Sequence, residues 1–146
     1  MLNIVLEDER CLPHVGSEDA AGIDLRMRIK TAAGFTPLLP RQTIKFDVGV
    51  RVQIPKGWVG LILPRSGLGF KYRIQLDNTV GVIDSDYTGI IHVSMTNDGS
   101  KEVFIEDFER VCQMVVVPHL STKFNIVDTL AKTARGEKGF GSSGKQ

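Results

Sequence analysis

The stretch IKFDVGVRVQI, residues 44–54, decides the fold class of this chain of 146 residues. Every second position in it is apolar: Ile44, Phe46, Val48, Val50, Val52 and Ile54. Successive side chains of a β-strand point to opposite faces of the sheet, so this alternation predicts half-buried strand.

The same signal recurs on both sides of that stretch. Alternating or mostly apolar runs occupy residues 23–30, 58–63, 91–96 and 111–117, and turn residues separate the runs at 55–57, 86–89 and 97–99. Helical periodicity is nearly absent, and only residues 66–73 leave room for one or two helical turns. Many short strands divided by turns predict an all-β sandwich or closed barrel.

Composition excludes several classes of protein. Eighteen Lys and Arg against 17 Asp and Glu give a net charge of +1, which predicts neither a nucleic-acid nor a membrane partner. The N-terminal residues lack the basic head and apolar core of a signal peptide, and no apolar stretch approaches the roughly 20 residues that span a bilayer. Cys11 and Cys112 form no CxxC pair. We expect a cytoplasmic protein with reduced cysteines.

Polar residues that could carry chemistry occur at four places, each with a plainer alternative. Residues 64–67, PRSG, could bind phosphate through Arg, Ser and close backbone approach, or could be a strand-to-turn junction. On the hairpin at 81–89, Asp84 could orient a water or form an Asx turn. Asp24 could be simply solvated, and Gln113 could be a satisfied buried amide or a ligand contact.

The end of the chain has a different composition from the rest. Residues 135–146, RGEKGFGSSGKQ, contain four glycines and one large apolar residue, Phe140. Such a segment has little surface to bury, so we expect it to be mobile. The chain therefore divides into a β-barrel domain, residues 1–134, and a flexible C-terminal lid, residues 135–146.

Five segments, taken in order, resemble the five motifs of the trimeric dUTPase family. They are residues 21–25 (AGIDL), 64–67 (PRSG), 81–89 (GVIDSDYTG), 110–113 (RVCQ) and 135–144 (RGEKGFGSSG). The resemblance implies a jelly-roll-like β-barrel and a homotrimer whose active sites each combine all three subunits. It implies hydrolysis of dUTP to dUMP and pyrophosphate through water attack at the α-phosphorus, with Mg²⁺. Such an activity keeps uracil out of DNA and supplies dUMP for dTMP synthesis.

The resemblance also implies roles for the residues of the third motif and its hairpin. Asp84 would position the attacking water and meet the deoxyribose 3′-OH. Tyr87 would pack under the sugar and leave no room for a ribose 2′-OH. The hairpin around Asn78, Val82 and Ile83 would read uracil, largely through its backbone.

The remaining motifs would hold the triphosphate. Phosphate contacts would come from Arg65, Ser66, Gly67 and Gln113, and Asp24 would support the Mg²⁺ and phosphate region indirectly, since the substrate phosphates hold most of the metal. The tail would provide Arg135 for the terminal phosphate, Phe140 over the base, and Gly141, Ser142 and Ser143 for further substrate contacts.

Four positions depart from the family pattern or bear on alternatives. Cys112 replaces the more usual Ala, Arg73 stands where many members have Gly, and His92 lies near the base pocket without an assigned role. The dCTP deaminases share the fold and use a Glu base where this chain has Ser94, which counts against deamination. A relative that mainly binds a regulatory protein is the other alternative, but such a relative would be expected to lose Asp84, Tyr87 or Phe140.

Overall fold

The structure is a computed structural model that describes residues 1–120 and 123–139. In this part of the chain the strands are β1 Asn3–Leu6, β2 His14–Val15, β3 Ile23–Arg26, β4 Phe35–Leu38, β5 Thr43–Asp47, β6 Val50–Gln53, β7 Trp58–Pro64, β8 Ile74–Leu76, β9 Gly81–Ile83, β10 His92–Asn97, β11 Val103–Glu106 and β12 Arg110–Pro118. One short α-helix, α1, covers Ser66–Tyr72, and a single 3-10 turn covers Glu9–Cys11. The expected all-β fold is confirmed.

Within the described residues, four antiparallel sheets form the barrel. The largest has the order β2-β3-β12-β7-β9, and a three-stranded sheet has the order β5-β10-β8. Two further pairs, β1-β6 and β11-β4, complete the layers. Because many neighbouring strands are far apart in sequence, the fold depends on long-range pairing rather than on successive hairpins.

The stretch at residues 44–54 forms two strands rather than one. β5 ends at Asp47 and β6 begins at Val50, with Gly49 between them at φ +64°. The Gly49 amide donates to the Asp47 carboxylate at 2.8 Å, which closes a turn within the alternating run. The apolar alternation continues across the bend, so Val48 and Val50 both stay buried. Periodicity therefore predicted the burial but not the bend.

The core is filled from the inward faces of all the sheets. Its fully buried side chains include Leu25, Met27, Leu38, Ile54, Ile74, Ile91, Met95 and Ile105. Cys112 and Cys11 are also buried and unpaired, as expected of small core residues. The one buried polar side chain among the described residues is Asn97, which donates to the Leu38 and Lys101 carbonyls, each at 2.8 Å.

Arg73, the departure noted in the sequence, ends α1 in a left-handed conformation. Its φ is 59°, and its amide donates to the Gly69 carbonyl at 3.0 Å. Its side chain reaches the Asp98 carboxylate at 3.2 Å. This ion pair accompanies a conformation that glycine would adopt more easily.

Strand β12 ends the barrel at Pro118. The described residues beyond it form no helix or strand, and their apolar side chains are exposed, including Leu120, Phe124, Ile126 and Leu130. The expected boundary at residue 134 remains a prediction. Residues 140–146, most of the expected lid, lie outside the described residues. Over residues 1–120 and 123–139, no helix has the length and apolarity to cross a membrane.

We predict that Gly49→Ala destabilises the barrel by about 2–5 kcal/mol. A new Cβ would lie 2.5 Å from the Cys11 sulfur and 2.8 Å from Arg28 Cδ. The left-handed backbone costs about 1–2 kcal/mol for a non-glycine residue and overpacking about 1–3 kcal/mol. The control is Gly57→Ala, at φ +85° with nothing within 4 Å of the new Cβ, which should cost only the backbone part. Chemical denaturation measures both, and equal losses would contradict the packing argument.

Candidate active site

An ion-pair cluster joins three of the motifs at one end of the large sheet. Asp24 on β3 lies 3.1 Å from Arg65 Nε and 3.2 Å from an Arg110 guanidinium nitrogen. Arg65 also donates to the Arg110 carbonyl at 2.7 Å. The side chain of Asp24 is only 16% exposed, so it is a half-buried hub for two arginines rather than a solvated carboxylate. The cluster holds Arg65 in a fixed orientation with spare donors.

Gln113 lies beside this cluster and is itself held in place. Its Nε2 donates to the Pro64 carbonyl at 3.0 Å. A Cβ on Gly22 would lie 2.3 Å from the Gln113 side-chain oxygen, so a larger residue there would have to displace the end of that side chain. The hydrogen bond to the Pro64 carbonyl engages the amide nitrogen of a half-buried side chain, so both interpretations of Gln113, a satisfied amide and a ligand contact, stay open. The adjacent thiol of Cys112 is unreactive, because burial and the nearby Asp24 carboxylate raise its pKa to about 12.

Ser66 and Gly67 follow Arg65 as the first residues of α1, and both are exposed. A Cβ on Gly67 would meet nothing within 4 Å. Contacts with the described residues therefore do not explain why this position is a glycine. A molecule from outside the chain that approaches the backbone closely would explain it, because glycine has no side chain in the way.

A cavity of about 660 Å³ lies between residues 76–83, which lead from β8 into β9, and the strands β5 and β10. The hairpin expected here is not formed, because β8 pairs with β10 and β9 pairs with β7. We keep the name base hairpin for residues 74–83, which connect these two sheets. Three residues that the resemblance assigns to the base, Asn78, Val82 and Ile83, line this cavity together. His92, Ser94 and Asp77 also line it. The structure thus brings the hairpin residues together around one space and adds polar side chains that the motifs did not include.

Asp84 and Tyr87 follow β9 on the turn that leaves the cavity. The Asp84 carboxylate is exposed and accepts no hydrogen bond from any described residue, while its backbone carbonyl accepts from the Tyr87 amide at 3.1 Å. Tyr87 donates its hydroxyl to the Ile90 carbonyl at 2.7 Å. Its ring lies so close to Gly89 that an added Cβ there would be 2.7 Å from ring atoms. The Asp84 carboxylate therefore has no hydrogen-bond donor among the described residues, whereas the Tyr87 hydroxyl is fixed by its bond to Ile90.

The arginine cluster around Arg65 and the turn that carries Asp84 lie far apart within one chain. Asp84 follows Ile83, which pairs with Gly60 of the antiparallel β7, so Asp84 lies level with Val59. Arg65 follows the other end of β7, six positions from Val59 (65 − 59). Six extended residues span about 20 Å at about 3.3 Å each.

Arg135 is exposed and donates to the Lys138 carbonyl at 3.1 Å, within a local turn. The structure does not bring it to either group of site residues. Phe140, Gly141, Ser142 and Ser143 lie outside the described residues, so their assignments stay predictions.

Sequence reasoning assigned no role to two residues whose side chains hold others of the candidate site. Arg110 was part of the fourth motif, but its side chain had no assigned role until its ion pair with Asp24 was visible. Asp77 had no motif at all, yet it accepts hydrogen bonds from the Ser94 and Thr96 hydroxyls. A carboxylate therefore does lie next to Ser94, the position of the deaminase base, but both its oxygens are engaged. Only the strand pairing reveals either contact.

Comparison with known proteins agrees with this geometry. The dUTPase family model matches residues 8–144. The deoxyuridine 5′-triphosphate nucleotidohydrolase of Escherichia phage T5 is 51% identical over 149 residues, covering all of both chains. The dUTPase of Staphylococcus bacteriophage 80alpha, solved with dUPNHPP, is 27% identical with a TM-score of 0.85 and coverage of 99% of this chain and 98% of its own. The dUTPase of phage phi11 of S. aureus, described with a structural Mg(II) ion, is 22% identical with a TM-score of 0.75 and coverage of 88% and 97%.

The jelly-roll-like barrel and its motifs place this chain among the β-barrel nucleotide hydrolases, as the resemblance implied. The chain belongs to the dUTPase family.

We predict that Arg110→Lys lowers kcat/KM for dUTP about tenfold, which corresponds to about 1.4 kcal/mol. Lysine cannot reproduce the planar guanidinium contact with Asp24, so Arg65 would lose part of its support. Steady-state kinetics with a melting curve measure the effect. The matched control is Arg26→Lys, which lies opposite Arg110 in the strand register but donates to the Leu12 and Phe108 carbonyls instead. If both variants lose activity equally, Arg110 has no special positioning role.

Proposed function

We propose that this chain hydrolyses dUTP to dUMP and pyrophosphate by attack of water on the α-phosphorus. The observation that carries the proposal is the hairpin cavity, which Asn78, Val82 and Ile83 line together, with the unengaged carboxylate of Asp84 on the residue that directly follows Ile83. The family relationship and the arginine cluster support it. The proposal extends to the family's role of keeping uracil out of DNA and supplying dUMP for dTMP synthesis.

The base occupies the hairpin cavity and selects uracil by shape and hydrogen bonds. Backbone groups of β9 and the side chain of Asn78 read the base edge, and Val82 and Ile83 line the wall. A wall that fits uracil disfavours thymine through its 5-methyl group, and backbone donors and acceptors that match uracil mismatch cytosine. Tyr87, locked by its bond to the Ile90 carbonyl, packs under the deoxyribose.

Asp84 acts as the general base. Because no described side chain occupies its carboxylate, Asp84 can accept a proton from a water placed against the α-phosphorus. The departing pyrophosphate carries extra negative charge in the transition state. Arg65 stabilises this charge from a position already fixed by Asp24 and Arg110, so little reorganisation is needed during the reaction. Ser66, Gly67 and Gln113 complete the phosphate contacts.

Mg²⁺ fits this site as a companion of the substrate rather than as a metal held by the protein alone. Among the described residues no group of three or more His, Cys, Asp or Glu side chains could hold an ion. Asp24, the nearest candidate, already binds two arginines. Mg²⁺ commonly binds through substrate phosphates with few protein ligands, where it neutralises triphosphate charge. Asp24 then supports the metal indirectly, by holding Arg65.

Each active site combines different subunits of a homotrimer. An attacking water must lie within hydrogen-bond reach of Asp84 and also next to a triphosphate held by Arg65, but these residues are about 20 Å apart in one chain. Asp84 of one chain must therefore meet Arg65 of another. The exposed apolar side chains of Phe124 and Ile126, 92% and 97% exposed, also favour cover by a second subunit. Arg135, Phe140, Gly141, Ser142 and Ser143 would close the same site as a lid.

We predict that Asp84→Asn slows hydrolysis of dUTP about 10²-fold or more while substrate binding and melting temperature hardly change. The amide keeps the shape of the carboxylate but cannot accept the proton, and general-base contributions are about 10²–10⁴-fold. Pyrophosphate release measures turnover, and calorimetry with a non-hydrolysable dUTP analogue measures binding. Turnover near that of the unchanged protein would remove Asp84 from the mechanism.

A second prediction tests the shared site with two inactive variants. Asp84→Asn and Arg65→Ala chains, co-refolded in equal amounts, should regain activity at about a quarter of their sites, because each site then draws its two groups independently from different chains. If Asp84 and Arg65 of one chain served the same site, every site would lack one group. Mass spectrometry of intact assemblies verifies subunit mixing. Inactive mixed trimers would contradict the shared site without affecting the assignment of dUTP hydrolysis.

A further inference from the structure

Strand β10 presents one row of polar side chains on the cavity side of its sheet. His92, Ser94 and Thr96 alternate with Val93, Met95 and Asn97, which are buried. The antiparallel neighbour β5 places Asp47 opposite His92 and Lys45 opposite Ser94. Because these three side chains do not pack into the core, core packing does not explain why this row is polar. Each of its three members instead contacts the entry to the base hairpin or the segment that follows it.

Ser94 and Thr96 hold the entry to the hairpin through Asp77. Both hydroxyls donate to the Asp77 carboxylate, one to each oxygen. The Asp77 amide also donates to the Ser94 carbonyl at 3.0 Å. The hydroxyl of Thr96 lies 2.6 Å from that of Thr43 on β5, so Thr43 can donate to Thr96 while Thr96 donates to Asp77. These hydrogen bonds to the charged form lower the pKa of Asp77.

His92 holds the segment where the chain leaves the hairpin and returns to β10. One ring nitrogen, Nδ1, lies 2.9 Å from the Ile90 carbonyl. The same carbonyl accepts the Tyr87 hydroxyl at 2.7 Å. Thr96, through Asp77, and His92, through Ile90, therefore contact the two ends of the segment at residues 77–90.

The turn between β8 and β9 is strained and depends on such anchors. Thr79 has a φ of 62°, a left-handed conformation that is uncommon for a β-branched residue. The Val80 amide donates to the Asn78 carbonyl at 2.6 Å, which makes the turn very tight. Residues 77–80 are exposed, so little packing holds them in place. Asp77 is the residue of this turn that is bonded to β10 through its side chain.

We propose that Asp77, held by Ser94 and Thr96, is a positioning residue that fixes the turn at residues 77–80 against β10 and thereby makes the cavity reject bases larger than uracil. The inference rests on dUTP as the substrate and assigns base selectivity to a residue outside the five motifs. A pocket can exclude one added methyl group only if its wall does not yield. Asp77 and its two hydroxyl partners supply that rigidity.

The test compares Asp77→Ala with Asp77→Asn and with Asp98→Ala as the matched control. Asp98 also accepts from several donors, Arg41, Arg73 and Gln75, but it directly follows the C-terminal residue of β10 and does not line the cavity. Each variant is assayed for pyrophosphate release from dUTP and dTTP, and its melting temperature is measured.

In Asp77→Ala we expect the ratio of kcat/KM for dTTP to that for dUTP to rise at least about tenfold, with KM for dUTP rising more than kcat falls. Asp77→Asn keeps one acceptor oxygen and should give a smaller rise. Asp98→Ala should lower the melting temperature without changing the ratio. Ser94→Ala, which removes one of the two hydroxyls, should shift the ratio in the same direction and serves if Asp77→Ala does not fold.

An unchanged ratio in both Asp77→Ala and Ser94→Ala would overturn the proposal and leave Asp77 a purely structural residue. If Asp77→Ala does not fold, an unchanged ratio in Ser94→Ala alone overturns it. A rise of the same size in Asp98→Ala would also overturn it, because general loosening of the barrel would then explain the effect. These outcomes are distinct from failure of the proposed function, which would appear as no pyrophosphate release from dUTP by the unchanged protein.

Discussion

Strand β7 imposes the constraint on which the rest of the site depends. It pairs with β12 on one edge and with β9 on the other. Its C-terminal end delivers Arg65 to the ion pairs with Asp24 and Arg110, and its N-terminal end lies level with Asp84. Because an extended strand cannot be shortened, the residues that we propose bind phosphate and activate water are kept at opposite ends of the same element. On that proposal a single barrel carries two half-sites, which an oligomer would unite.

The two half-sites use different physical means to stay ordered. At the arginine cluster the means is charge: a half-buried carboxylate holds two guanidinium groups, which fixes Arg65 before any phosphate arrives. Pre-orientation of this kind lowers the cost of stabilising charge during the reaction. At the hairpin the means is neutral and charge-assisted hydrogen bonding, from the β10 hydroxyls to Asp77 and from Tyr87 to the Ile90 carbonyl. Both arrangements leave available the groups that we propose take part in the reaction, the spare donors of Arg65 and the carboxylate of Asp84.

Most of the fold could be predicted from periodicity, because burial on one sheet face leaves a period-two pattern that is visible in any strand. The pattern correctly marked β7, β10 and β12, and turn residues marked their ends. It did not reveal the bend at Gly49, since side chains on both sides of the bend stay buried and the alternation never breaks. For the site, resemblance selected Asn78, Val82, Ile83 and Arg65, which the structure places on a cavity wall and in an ion-pair cluster. Neither sequence pattern nor resemblance predicted the contacts of Arg110 and Asp77, because their partners are more than 15 residues away in the chain.

The sequence by itself determined the β class, the order of the five motifs and the chemistry each motif can offer, because these depend on residue type and local spacing. Tertiary structure alone decided which of those groups meet. Asp24 and Arg110 are 86 positions apart and become neighbours only because β3 and β12 pair. Asp77 acquires its partners only because β8 and β10 lie side by side. The roughly 20 Å between Asp84 and Arg65 follows from strand register, a long-range property that no local pattern encodes.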